Sequence, residues 1–244
     1  MDSSYFDRLP ADIQEIVEEI ETAVDFEIGI EVREPEEEAR RRGRSPLKCE
    51  VDLHGARIIT PAADHFPDSS VLHELLHIRR FLVEKVPRLT FCENYDPWSP
   101  EFESALTSLD NGIEHLIIVP QELARNSERK NYWVEVIRRA LSDLRTDRLS
   151  IDDRERLTLR DAMFVTTVLK DPQLAADFGV LVEQLDISER ANALSGVVGT
   201  ALHSKEQLAK AFITQLRIPF GPVCLEYIDA TNGRSHEINI SQIE

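Results

Sequence analysis

Five consecutive residues, His73-Glu74-Leu75-Leu76-His77, hold the side chains in this chain that are best suited to chemistry. On a helix, His73 and His77 stand one turn apart on the same face, so both imidazoles can converge on one ion with Glu74 beside the first. Zinc binds neutral imidazole readily, and a catalytic zinc uses three protein ligands and leaves a fourth position for water. The spacing therefore predicts a zinc site in which Glu74 is the general base for hydrolysis.

A second polar stripe lies further along the chain, in another segment with helical periodicity. Asn111, Glu114 and His115 occupy positions i, i+3 and i+4 within an otherwise apolar stretch, so they share one helix face. Their apolar surroundings predict that the stripe is buried, where polar groups need partners. The H-E-x-x-H pattern alone arises by chance in roughly two of every hundred sequences of this composition, so a helical protein without a metal is the alternative. The second stripe favours the zinc site.

The elements that would position these side chains follow from hydrophobic periodicity. Residues 11–24 carry apolar side chains at helical spacing and predict an amphipathic opening helix. Alternating apolar and polar residues predict three strands, over residues 26–32, 49–53 and 56–60. The charge block at residues 36–44 predicts a solvated loop or a short helix.

Two predicted helices then carry the candidate ligands. The first has a polar N-cap among residues 68–70 and extends to about Glu84. Residues 99–101 combine an N-cap serine, a proline suited to the first helical position and an early acid, which predicts the start of the second helix. We expect this second helix to end before Pro120, because proline cannot continue the hydrogen-bond ladder.

The remainder of the chain is predicted to be helical and to end in a hairpin. The helical pattern continues to about residue 216, with breaks near residues 149–150, 171–172 and 186–188. Two alternating segments flank Asn232-Gly233, which predicts a β-hairpin. The fold class is therefore predicted as α+β, with a small metal-binding module over residues 1–120, a helical region over residues 121–217 and a C-terminal hairpin over residues 218–244.

Residues from about 48 to 120 resemble a compact zincin metallopeptidase of the gluzincin-like kind. In such enzymes a strand precedes the HExxH helix, and a second helix donates the third ligand. The resemblance implies that His73 and His77 bind zinc and that Glu74 is the general base. It also implies that the predicted module over residues 1–120 is a zincin-like metallopeptidase module.

The resemblance gives an order of choice for the third ligand. Gluzincins commonly supply a glutamate from the second helix, which implies Glu114 first, the adjacent His115 second and Asp110 third. Asn111 or His115 would then orient a zinc-binding histidine. A narrower resemblance to ImmA/IrrE-type metallopeptidases rests on Asn111 and on the aliphatic run that Pro120 closes. That family places a glutamate shortly before the asparagine, where this chain has Thr-Ser-Leu-Asp.

Composition narrows the class of partner. A formal net charge of −17 over 244 residues disfavours nucleic acid, which needs clustered Lys and Arg. No signal-like start is present, and no apolar run approaches the roughly 18 residues of a membrane span, so we expect neither secretion nor membrane association. Three widely spaced cysteines without a Cys-x-x-Cys pair indicate neither a disulfide framework nor a cysteine-rich zinc site, and they favour a reducing cytoplasm.

These observations predict a peptidase with Zn²⁺ as its cofactor, which hydrolyses a peptide bond of a specific cytoplasmic protein or peptide. The alternative is a zinc-binding regulatory or partner-binding protein with little or no peptidase activity, whose acidic surface would engage a basic partner. The peptidase would cleave a peptide bond and would need Glu74 to do so, whereas the regulatory protein would show little or no cleavage.

Overall fold

A computed structural model describes residues 1–34, 47–146 and 148–243. In these residues the chain is an α+β protein with many helices and two small sheets, as the sequence predicts. It divides into two compact units: residues 1–88 with 226–236 form unit 1, and residues 89–225 with 237–244 form unit 2. The charge block at residues 36–44, predicted as a solvated loop or a short helix, lies outside the described residues.

Unit 1 combines N-terminal helices, a three-stranded sheet and the helix that carries the HExxH motif. Its elements are α1 (Ser3–Phe6), α2 (Ala11–Val24), β1 (Gly29–Val32), β2 (Lys48–Asp52), β3 (Gly55–Thr60) and α3 (Asp68–Leu82). The strand order is β1-β3-β2, with β1 parallel and β2 antiparallel to the central β3. The predicted opening helix and the three predicted strands are therefore confirmed.

The apolar face of α3 positions the motif. Its buried apolar side chains include Leu72, Leu75, Leu76, Ile78 and Leu82. Helix α3 contacts α2, β2 and β3, so this face lies against the core of unit 1. The N-cap is Pro67 and not one of the predicted residues 68–70, which places Asp68 inside the first turn. A carboxylate is favourable there because the N-terminal end of a helix carries partial positive charge.

Unit 2 is mainly helical. Its helices are α4 (Pro100–Arg125), α5 (Arg129–Leu144), α6 (Ile151–Phe164), a π-helical turn (Val165–Leu169), α7 (Pro172–Gln184), α8 (Ser188–Ala201) and α9 (Lys205–Gln215). The three predicted breaks are confirmed, because α6, α7 and α8 begin at or directly after them. Across the part of the chain that the structure describes, no helix is long and apolar enough to cross a membrane.

Helix α4 corrects one prediction. The sequence predicts that this helix ends before Pro120, whereas it continues to Arg125 with Pro120 inside it. A proline in a helix interior removes one hydrogen bond and costs about 3 kcal/mol. Val119 and Glu122, on either side of the proline, are both 0% exposed. We attribute the continuation to this burial, and the helix consequently runs across the predicted module limit at residue 120.

The predicted C-terminal hairpin is confirmed, and it belongs to a second sheet. Residues 230–233 connect strands β5 (Val223–Asp229) and β6 (Arg234–Asn239), and Gly233 in this loop has a positive φ of 59°. Strand β4 (Arg88–Phe91) completes the sheet in the order β4-β5-β6. Hydrophobic periodicity does not predict β4, because a four-residue segment is too short to show a clear alternation.

A disulfide bond joins Cys92 to Cys224, which corrects the prediction that the cysteines form no disulfide. The two residues are 132 positions apart in the sequence. Cys92 directly follows β4 and Cys224 lies in the neighbouring β5, so their Cα atoms are only 5.1 Å apart. Sequence spacing cannot show such a pairing, because it depends on which strands are neighbours. Cys49 carries a free thiol.

Candidate functional site

Helix α3 brings His73 and His77 together as their spacing predicts. Their ring centroids are 5.0 Å apart, in an edge-to-face arrangement with an interplanar angle of 83°. His77 is 5% exposed, and its ring stacks on Phe81 one turn further along the helix. His73 is half-buried. Two imidazoles on one helix turn are a suitable pair of zinc ligands.

Glu74 is also buried, and the neighbouring sheet holds its carboxylate. The side chain is 8% exposed, and the backbone N–H of Cys49 in β2 donates to its Oε2 over 2.8 Å. Burial, and then the negative charge of Glu74, raise the pKa of the Cys49 thiol well above its usual range. The neutral S–H therefore faces the carboxylate, and strand β2 fixes the orientation of the predicted general base.

Sequence reasoning missed Cys49 as part of this site. Cys49 and Glu74 are 25 residues apart, and the chemistry of a single cysteine in a strand does not identify the helix it will face. The only sequence feature that could have suggested this contact is the predicted order of elements, in which the strand of Cys49 precedes the HExxH helix.

In unit 2, helix α4 holds two of the candidate third ligands in a buried charge cluster. The ammonium of Lys205, at the start of α9, lies 2.8 Å from Oδ1 of Asp110 and 2.5 Å from Oε1 of Glu114. The exposed fractions are 2% for Lys205, 7% for Asp110 and 0% for Glu114. The backbone N–H of Leu89 also donates to Oδ1 of Asp110 over 2.9 Å. We call Asp110, Glu114 and Lys205 the buried triad.

The ionisation of the buried triad follows from its surroundings. Burial raises the pKa of Asp110 by more than the attraction of Lys205 lowers it. Burial alone would lower the pKa of Lys205, but the attraction of Asp110 and then of Glu114 outweighs it, so the pKa of Lys205 is raised. Lys205 therefore stays charged, and two carboxylates share one cation.

His115, the next residue on α4, has different surroundings. It is half-buried, and its ring lies against Trp133 with the centroids 4.9 Å apart and near Phe164 with the centroids 6.4 Å apart. The indole N–H of Trp133 donates to Oε2 of Glu122 over 3.1 Å, and Arg129 pairs with the same carboxylate. Trp133 is thus held in place by hydrogen bonding to Glu122, and its indole ring contacts the imidazole of His115.

The predicted burial of the whole polar stripe is correct for Glu114 and wrong for Asn111. Asn111 is exposed, although it lies on the same helix face as Glu114, one turn further along α4. Of the remaining histidines, His54, His65, His203 and His236 are all exposed.

No family model matches this chain, and no curated protein or solved structure matches it either. The resemblance of residues 48–120 to gluzincin-like metallopeptidases stays a prediction from the motif residues. Any functional conclusion therefore depends on the side chains described above and on their chemistry.

Proposed function

We propose that this protein is a zinc-dependent peptidase in which His73, His77 and His115 bind the metal and Glu74 is the general base. The proposal is carried by the two imidazoles on α3, whose ring centroids are 5.0 Å apart, next to the buried side chain of Glu74. Each histidine offers a ring nitrogen as a ligand atom. Three histidines are one of the ligand sets that catalytic zinc uses, with a fourth position left for water.

The buried triad supports His115 over Glu114 as the third ligand. To bind zinc, Glu114 would have to release Lys205, with which it pairs over 2.5 Å at a position that is 0% exposed. Separating the partners of a buried ion pair costs about 3–5 kcal/mol. Asp110 is held by the same lysine and by a backbone N–H, so the same argument applies to it. Neutral imidazole is a ligand that zinc binds readily, which favours His115.

The residues of the chain have separable parts in the proposed hydrolysis. Zinc, when bound, supplies a Lewis acid that polarises a carbonyl and lowers the pKa of water. The carboxylate of Glu74 accepts the proton of the attacking water and returns it to the leaving amine. The Cys49 N–H holds Oε2 of Glu74, which limits rotation of the carboxylate and keeps it aligned for both proton transfers. The burial of His77 fixes one ligand before metal binds.

Zinc content tests the ligand assignment. The protein purified without chelator is expected to contain near-stoichiometric zinc by atomic emission spectroscopy, and Glu74→Gln should retain it. His77→Ala should lower zinc content at least about tenfold, because two remaining ligands do not hold the ion. His65→Ala is the matched control in unit 1, since it removes an exposed imidazole. A parent protein that takes up no zinc, even when zinc is added, would contradict the proposal.

The third ligand is tested in the same way. His115→Ala is expected to lower zinc content as strongly as His77→Ala does, while Glu114→Gln retains zinc in its folded fraction. His203→Ala removes an exposed imidazole from unit 2 and should have no effect. The opposite result, with zinc lost in Glu114→Gln and kept in His115→Ala, would assign the third ligand to Glu114.

A further inference from the structure

A second group of metal-ligating side chains lies in unit 2, apart from the histidines. Cys92, Cys224 and Glu237 each offer one ligand atom, and these atoms all lie within 4.8 Å of one another. The two cysteines are 7% and 5% exposed, and Glu237 is half-buried. All three line an open cavity of about 330 Å³. The peptidase proposal uses none of these residues.

The two strands hold the cysteines at a separation that suits a metal as well as a disulfide. The Cα atoms are 5.1 Å apart, and the backbone N–H of Cys92 donates to the carbonyl of Pro222 over 2.9 Å. Zinc–thiolate bonds of about 2.3 Å at a tetrahedral angle place two sulfurs about 3.8 Å apart. Rotation about the Cα–Cβ bonds can provide this separation once the disulfide is reduced, so the strands need not move.

Neighbouring groups fix the Glu237 carboxylate and direct one N–H at the sulfur of Cys92. The backbone N–H of Glu93 donates to Oε2 of Glu237 over 3.1 Å, which holds this side chain beside the sulfurs. The side-chain amide nitrogen of Asn239 lies 3.5 Å from Sγ of Cys92. An N–H group directed at sulfur stabilises negative charge on it, as a metal-bound thiolate requires. Asn239 is itself held by the carbonyls of Phe220 and Gly221.

We propose that reduction of the Cys92–Cys224 disulfide creates a second zinc site, with two thiolates and the Glu237 carboxylate as ligands. A dithiol reductant, or two molecules of a monothiol such as glutathione, supplies two electrons and two protons and leaves as its own disulfide. Binding of zinc then displaces the two thiol protons to solvent. The cavity leaves the fourth coordination position accessible. The metal content of the chain would therefore depend on the redox state of its surroundings.

Thiolate ligands give this site a spectroscopic signature that the histidine site lacks. The experiment uses the full-length His73→Ala/His77→Ala variant, with cadmium as the probe, before and after treatment with a phosphine reductant. Reduced protein is expected to bind one further equivalent of cadmium and to show thiolate-to-cadmium charge-transfer absorption, while oxidised protein shows neither. Since this variant lacks the proposed catalytic ligands, the result is independent of the peptidase proposal.

Glu237→Gln should weaken cadmium binding to the reduced protein at least about tenfold. The matched control is Glu93→Gln, which removes a nearby carboxylate but keeps the backbone N–H that holds Glu237. Zinc should also raise the melting temperature of reduced protein and not that of oxidised protein, which tests the site even if reduction weakens the fold. Absence of charge-transfer absorption, an unchanged melting temperature, or equal affinities in the two glutamine variants would each overturn the proposal.

Discussion

Replacing Lys205 with methionine is expected to lower the free energy of unfolding by about 3–5 kcal/mol. The lysine is 2% exposed and is paired with Asp110 and Glu114, so the substitution leaves two buried carboxylates without this cation. Methionine matches the length of the side chain, which limits the contribution of a cavity. Urea denaturation followed by circular dichroism measures the change.

Two controls separate lost charge from lost packing. Lys210→Met makes the same change on the same helix at a half-buried position, where the ammonium donates to the carbonyl of Ile243, and we expect a loss of at most about 1 kcal/mol. Adding Asp110→Asn and Glu114→Gln to Lys205→Met should restore part of the stability, because the uncompensated charges are then gone. Equal losses in Lys205→Met and Lys210→Met would contradict the role assigned to the buried triad.

Glu74→Gln is expected to lower the rate of peptide hydrolysis by about 10²–10⁴-fold while zinc content stays unchanged. Glutamine has nearly the same shape, and its amide oxygen can still accept the hydrogen bond from the Cys49 N–H. It cannot accept a proton at neutral pH, so only the acid–base step is removed. The selective loss of rate distinguishes the general base from a residue that merely supports the fold.

A peptide library digested and analysed by mass spectrometry provides the assay, because it does not require the substrate to be known. Asp68→Asn is the matched control, since it converts an exposed carboxylate of the same helix to an amide and should retain activity. Cleavage by Glu74→Gln at the parent rate would contradict the mechanism. Stoichiometric zinc without cleavage by any variant, including of co-expressed partner proteins, would favour the regulatory zinc-binding function.

Local periodicity predicted most elements of the described fold. The opening helix, the HExxH helix and the hairpin each carry a repeat of apolar residues that is long enough to identify the element. The predictions that failed concern elements whose structure depends on tertiary packing. Helix α4 continues through Pro120 because the residues on both sides are buried, and β4 is a strand because it has a partner in β5.

In the candidate site, too, contacts between residues near in sequence could be predicted, and contacts between residues far apart in sequence could not. The spacing of His73 and His77 fixes their common face, because one helix turn relates them. The surroundings of Glu114 could not be predicted, since its partner Lys205 is 91 residues away. Asp110, Glu114 and His115 are equally plausible ligands by residue type. Only the contacts of unit 2 separate two ion-paired carboxylates from an imidazole packed on an indole.

The division of the chain into its two units has a consequence for how the protein can be dissected or recombined. Unit 1 takes residues 226–236 from the hairpin, and unit 2 resumes at residue 237. A single cut in the polypeptide therefore cannot release either unit whole, and deletion of the hairpin removes residues from both. Each unit is therefore complete only when both of its segments of the chain are present.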